Sequence, residues 1–120
     1  MFAKLSVVGV SVLHFGFMAL ESFLWTGPTG KKVFGHSLEH AQQTKVLAMN
    51  QGAYNGLLAA TLLWALFTGR WETCAALLVF IIAAGLVGGL TAAKSILVLQ
   101  MLPALIALGA VISVISQKPS

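Results

Sequence analysis

An all-α membrane bundle of four helical spans is predicted for this 120-residue chain, on three observations. Hydrophobic residues make up 58% of it and charged residues 8%, where soluble domains carry roughly a quarter charged residues. The apolar residues gather into four stretches, each near the roughly 20 residues that a helix needs to cross a bilayer. The connections are mostly short, which forces neighbouring spans antiparallel. An up-down bundle follows, with the N and C termini on one side and residues 1–120 forming a single integral membrane domain.

The first span is expected over residues 2–25. Lys4 and the apolar run after it resemble a signal peptide, but the run carries His14, lacks an Ala-x-Ala site and continues to Trp25, so it is read as a span of the mature protein. Trp25 sits where an interfacial aromatic belongs. Thr26-Gly27-Pro28-Thr29-Gly30 ends the helix, because glycine and proline favour turns. Residues 31–44 form the one long loop, in which Ser37 is placed to cap a short helix leading into the second span. That span covers about residues 45–67. Gly69-Arg70-Trp71-Glu72 connects it to a third span over residues 73–90, and Lys94 marks the turn to a fourth over residues 95–116. Gly85 and Gly89 form a G-x-x-x-G, and Ala84 and Gly88 a second small pair, which favour close helix packing. Pro103 is expected to kink the fourth span.

The net charge of +4 comes from scattered residues, with Lys31-Lys32 the sole adjacent pair. They read as membrane-flanking charges, and no basic patch points to nucleic acid. Lys4, Arg70, Lys118 and the amino terminus balance Lys31, Lys32, Lys45 and Lys94 across the bilayer, so the charges do not set an orientation. Cys74 opens an apolar helix as a small packing residue, and a single cysteine excludes an internal disulfide. The composition points to a multi-pass protein of the plasma (cell inner) membrane, with lipids as its surroundings.

Ionisable and amide side chains interrupt the first two spans, and such residues are costly in hydrocarbon unless they find partners or serve a function. His14 and Glu21 are seven residues apart, so they share one face of an α-helix. Asn50, Gln51, Tyr54, Asn55 and Thr61 fall within a sector of about 140° on the second span. These polar sides are expected to face each other. Counted inward from the side of the first loop, Glu21 lies about 6 Å deep, Asn50 and Gln51 about 8 to 9 Å, and Gln100 about 8 Å. His14 and Asn55 form a second level at about 15 to 17 Å. The result is a pocket open toward the first loop, with Lys45 and Lys94 near its mouth. Interhelical hydrogen bonds that merely hold the bundle, or a Glu21–Lys45 pair, are the structural alternatives.

His36-Ser37-Leu38-Glu39-His40 matches H-x-x-E-H, the inverted zinc-peptidase signature. A metallopeptidase needs a third ligand and a folded cleft, which a loop this short does not supply. An exposed loop is therefore expected, without metal or cofactor. No phosphate-binding glycine loop or nucleophile elbow is present.

Glu21-x-Phe23-Leu24-Trp25-Thr26, then Gly30, Phe34, Thr44-Lys45-x-Leu47, and Asn50-Gln51-Gly52-x-Tyr54-Asn55-Gly56 with Ala59 and Trp64, carry a resemblance across nearly the full chain. They resemble the small integral membrane proteins of the domain-of-unknown-function 1304 family. The resemblance implies a four-span membrane protein, places Glu21, Lys45, Asn50, Gln51, Tyr54 and Asn55 in the family signature, and brings no catalytic role.

These residues support three classes of function. The first is binding or transport of a small molecule or ion by a homodimer, since four spans do not readily enclose a pathway. The binding residues would be His14, Glu21, Lys45, Asn50, Gln51, Tyr54, Asn55 and Gln100. The second is a membrane enzyme acting on a lipid-like substrate through His14 and Glu21 as acid and base. The third is an accessory subunit whose glycine face packs against a larger complex.

Overall fold

An apolar run without proline builds the first helix, α1, over Phe2–Met18, and the chain then passes into a π-helical turn over Ala19–Phe23. The computed structural model describes residues 1–119, and all the regular structure among them is helical. The π turn is closed by Leu24, whose N–H donates to the Ala19 carbonyl at 3.1 Å. Such a turn holds more residues than an α turn, so the 100° step assumed from sequence does not run through it.

The segment expected to be one long loop contains two short helices. Pro28 starts α2 (Pro28–Phe34) instead of only ending the helix before it. At a first helical position its missing N–H costs nothing, since that donor would have no intrahelical partner. Gly35 ends α2 with a left-handed φ of 67°, a conformation open to glycine at little cost. Ser37 then caps α3 (Leu38–Gln43), its Oγ accepting from the His40 N–H at 3.1 Å. One residue, Thr44, separates α3 from α4 (Lys45–Phe67), whose bounds match the expected second span. Gly69, with φ of 70°, turns the chain into α5 (Trp71–Thr91).

The last helix starts with a second π turn, Leu97–Met101, followed by α6 (Leu102–Ser116). Pro103 has no N–H to return to the Leu99 carbonyl, and the ladder is already rearranged before it. The Leu102 N–H reaches back five residues to the Leu97 carbonyl. The disturbance expected at Pro103 thus takes the form of a π turn on its N-terminal side.

The chain divides into two compact units, Val12–Ala59 and a second made of Met1–Ser11 with Ala60 onward. In the second unit, α5 packs on the last π turn and α6 through glycine. A methyl on Gly88 would press on Ile96, one on Gly89 would collide with Leu97, and one on Gly85 would crowd Gln100 and Met101. The predicted small-residue stripe is therefore a contact within the chain. Leu62, Leu78, Ile81, Ala107 and Val111 are buried in this unit, with Cys74 as a small, free, buried thiol.

Three helical stretches, Phe2–Phe23, Trp71–Thr91 and Leu97–Ser116, are long and apolar enough to cross a membrane. The sequence predicts four. Helix α4 has the length, at 23 residues, but Asn50, Gln51, Tyr54 and Asn55 dilute its hydropathy.

Candidate functional site

Within Val12–Ala59, the approach of two helical segments is set by what α4 lacks. Ala48, Gly52, Gly56 and Ala59 recur at three- and four-residue spacing and are all buried. A Cβ on Gly52 would collide with Ser22 Oγ and come within 2.9 Å of the Ser22 backbone nitrogen, and one on Gly56 would run into the Met18 thioether. Ser22 fills the place so provided and donates from its Oγ to the Met49 carbonyl at 3.1 Å.

This register brings Glu21 to Asn55. The Asn55 Nδ2 donates to Glu21 Oε1 at 2.5 Å, joining the π turn to the middle of α4. Sequence depth placed Glu21 level with Asn50 and Gln51 and put Asn55 on the deeper level. The difference arises because close backbone approach is possible only over Gly52 and Gly56, which draws Ser22 and Met18 farther along α4 than the count from Trp25 and Lys45 allows. Among the described residues, Asn55 rather than Lys45 meets the Glu21 carboxylate, and Lys45 is exposed.

Of the other polar residues of α4, Gln51 lines a cavity together with Glu21 of the π turn. Asn50, Gln51 and Tyr54 are exposed, Tyr54 to 73%. His14 is buried, with its ring edge-on to Phe17 at 5.2 Å between centroids. Glu21 itself lies in the π turn, so the 100° step behind the seven-residue spacing does not run unbroken from His14 to it. In the other unit, Gln100 is half-buried and ties two helices, its Nε2 donating to the Ile81 carbonyl at 3.2 Å.

Glu21 lines an open cavity of about 390 Å³, together with Trp25, His40, Thr44, Leu47 and Gln51. Trp25 is fixed there by a 3.0 Å bond from its Nε1 to Thr44 Oγ1, and that hydroxyl donates onward to the His40 carbonyl at 2.7 Å. Trp25, His40 and Thr44 were not among the residues the sequence singled out as a site. Their signal was weak, since Trp25 reads as an interfacial anchor and His40 as part of a loop. Gly52-x-x-x-Gly56, by contrast, has the same form as the Gly85 motif, although the sequence marks it only as part of the family signature.

His36 and His40 do not stand alone as a metal grip. The His36 ring lies 4.7 Å from Trp25 and 5.9 Å from Phe34, and 6.2 Å from the His40 ring. Among the described residues, no three His, Cys, Asp or Glu side chains gather to hold a metal ion. A second open cavity, of about 400 Å³, is lined by Lys31, His36 and Leu38 among others.

The chain is similar to an uncharacterized protein, YpaA, of Lactococcus lactis subsp. lactis (strain IL1403). The two are 36% identical over 95 residues, which cover 76% of this chain and 80% of that protein. No solved structure matches the chain. The family described as a protein of unknown function (DUF1304) matches residues 8–112, a stretch that includes the Glu21–Asn55 pair and the Gly52–Gly56 contact. With nearly its whole length matched, the chain belongs to the DUF1304 family.

Proposed function

We propose that this chain is a multi-pass protein of the plasma (cell inner) membrane that binds and moves a small molecule or ion as a homodimer, with Glu21 as the exchanging group. The observation that carries this reading is the Glu21 carboxylate, oriented by Asn55, on the wall of a cavity of about 390 Å³. Carboxyl groups inside membrane helices are expensive, and those that occur mark ligand or ion pathways. The volume falls in the range of small-molecule sites, about 300 to 1,000 Å³.

In this reading α4 is the fourth span of an up-down bundle with both termini on one side, and residues 1–120 act as one membrane domain. Its 23 residues extend about 35 Å at the helical rise, enough for a hydrocarbon core of about 30 Å. Lipid covers the apolar faces. It does not suit Asn50, Gln51 and Tyr54, which are exposed on the same helix. An amide both donates and accepts, so a second copy offering the same face satisfies these groups across a two-fold axis. Lys45 lies about one and a half to two and a half turns from them on α4 and would flank the seam.

Flux tests the reading. Proteoliposomes loaded with pyranine are given a pH gradient, and quaternary amines, small carboxylates and neutral solutes are added outside in turn. At least one solute should discharge the gradient faster than in empty liposomes, and Glu21→Gln should remove that difference. If wild-type protein discharges no gradient faster than empty liposomes, transport is wrong.

A further inference from the structure

The cavity beside Glu21 has a composition that selects ligand charge. Among the described residues, Glu21 is the one acidic side chain lining it, His40 is the one imidazole, and neither lysine nor arginine lines it. Its carboxylate can accept about four hydrogen bonds, and Asn55 supplies one while fixing the group's direction. Trp25 brings an indole ring, held in place by its bond to Thr44 and by the Phe34 and His36 rings, each 4.7 Å away between centroids, and Leu47 and Ala48 add apolar wall. Gln51, Thr44 and His40 supply the rest of the polar lining.

We infer that the ligand of this cavity is a small organic cation, an amine or quaternary ammonium group on an apolar body, neutralised by Glu21 and seated against the Trp25 ring. This inference rests on the reading of the cavity as a ligand site and names the class of ligand. An anion would face the Glu21 carboxylate, with no lysine or arginine among the described residues of the wall to offset it. A neutral ligand would leave a partly desolvated carboxylate without a countercharge, which costs more than an ordinary unmade hydrogen bond. A bare metal cation needs a shell of about six or more oxygen ligands, whereas this wall offers indole, leucine and alanine beside few oxygens. An organic cation uses both halves of the lining, because the carboxylate neutralises its charge while the indole, leucine and alanine receive its apolar body, an aromatic ring also attracting a cation set over it.

The test is equilibrium dialysis of the full chain in lipid nanodiscs against three radiolabelled solutes that share a benzyl body: benzyltrimethylammonium, benzyl alcohol and benzoate. Empty nanodiscs correct for partition into lipid. Saturable binding of the cation is expected, at least tenfold tighter than that of either other solute. Glu21→Gln, which keeps the shape and an acceptor for Asn55, should weaken it at least tenfold. Trp25→Leu should weaken it by about 2- to 30-fold, the range that cation–π strengths span. Circular dichroism and gel-filtration profiles like those of the wild type show that each variant is folded, and Glu21→Asp, which retains the charge, should keep the preference for the cation. The inference is overturned if the cation does not bind saturably, if either other solute binds as tightly, or if Glu21→Gln leaves cation binding unchanged. Glu21-dependent binding of benzyl alcohol or benzoate without the cation would overturn the cation alone and leave the cavity as a ligand site. Binding of none of the three would count against both.

Discussion

Asn55 donates a 2.5 Å hydrogen bond to Glu21, and this bond joins two segments 34 residues apart at the point where the first helix widens into a π turn. The pair depends on the glycine contact beside it, because Ser22 can rest on Gly52 only where no Cβ intervenes. Stability and function at this site are therefore expected to respond separately to substitution.

Gly52→Ala should destabilise the protein more than Gly56→Ala. The new methyl at Gly52 meets backbone, the Ser22 nitrogen at 2.9 Å and the Met18 carbonyl oxygen at 3.1 Å. At Gly56 it meets the flexible end of the Met18 side chain, which can swing aside. Overpacking costs about 1 to 3 kcal/mol, and the Gly52 variant should fall in that range with the Gly56 variant below it. Unfolding by denaturant titration in mixed micelles reads the difference, and equal losses would contradict the contact.

Trp25→Phe and Thr44→Val should be coupled. Each removes one partner of the 3.0 Å Nε1–Oγ1 bond that holds the indole on the cavity wall. A double-mutant cycle on stability should give an interaction of about 1 kcal/mol. Additive effects would mean that the bond contributes nothing.

Gln100→Leu should cost about 0.6 kcal/mol, the average for hydrogen bonds between membrane helices. The side chain makes one tie, to the Ile81 carbonyl, and leucine retains most of its volume. The same unfolding titration measures it.

Tyr54→Cys should form a disulfide-linked dimer under mild oxidation in lipid, in a background where Cys74 is replaced by Ala. Tyr54 stands on the exposed polar face of α4, while Val79 is exposed on an apolar helix and serves as the control for random collision. Crosslinking at Val79→Cys equal to that at Tyr54→Cys would remove the support for a seam on this face.

The helix boundaries were legible to within a few residues because apolar runs and the breakers between them set them, whereas hydropathy marks three of the four expected spans. Residues 45–67 emerged from the apolar run, and the Ser37 cap from the preference of a serine side chain for a free helical N–H. The two π turns were not legible, since no residue type marks where an extra residue enters a turn. Pro28 was read only as a stop, although the same ring geometry also favours a start, and so α2 was taken for a loop.

The site was half legible for a related reason. Polarity suggested that all the amides of α4 turn toward Glu21, but helices approach where side chains are smallest, and that face is Ala48, Gly52 and Gly56. Asn55, next to Gly56, lies at the edge of this face and reaches the carboxylate. Gln51, one turn before Asn55, lines the cavity beside Glu21, while Asn50 and Tyr54 lie farther round and are left exposed.

Reaction with dicyclohexylcarbodiimide tests the central claim most directly, that Glu21 is a carboxyl open to a ligand within the apolar region of the chain. The reagent partitions into lipid and modifies carboxyl groups there, and the chain has three acidic residues with which to compare it. Mass spectrometry of the protein in nanodiscs should find Glu21 modified well before the exposed Glu39 and Glu72, with benzyltrimethylammonium slowing its modification alone. Modification of Glu21 no faster than that of Glu39 and Glu72 would contradict the account.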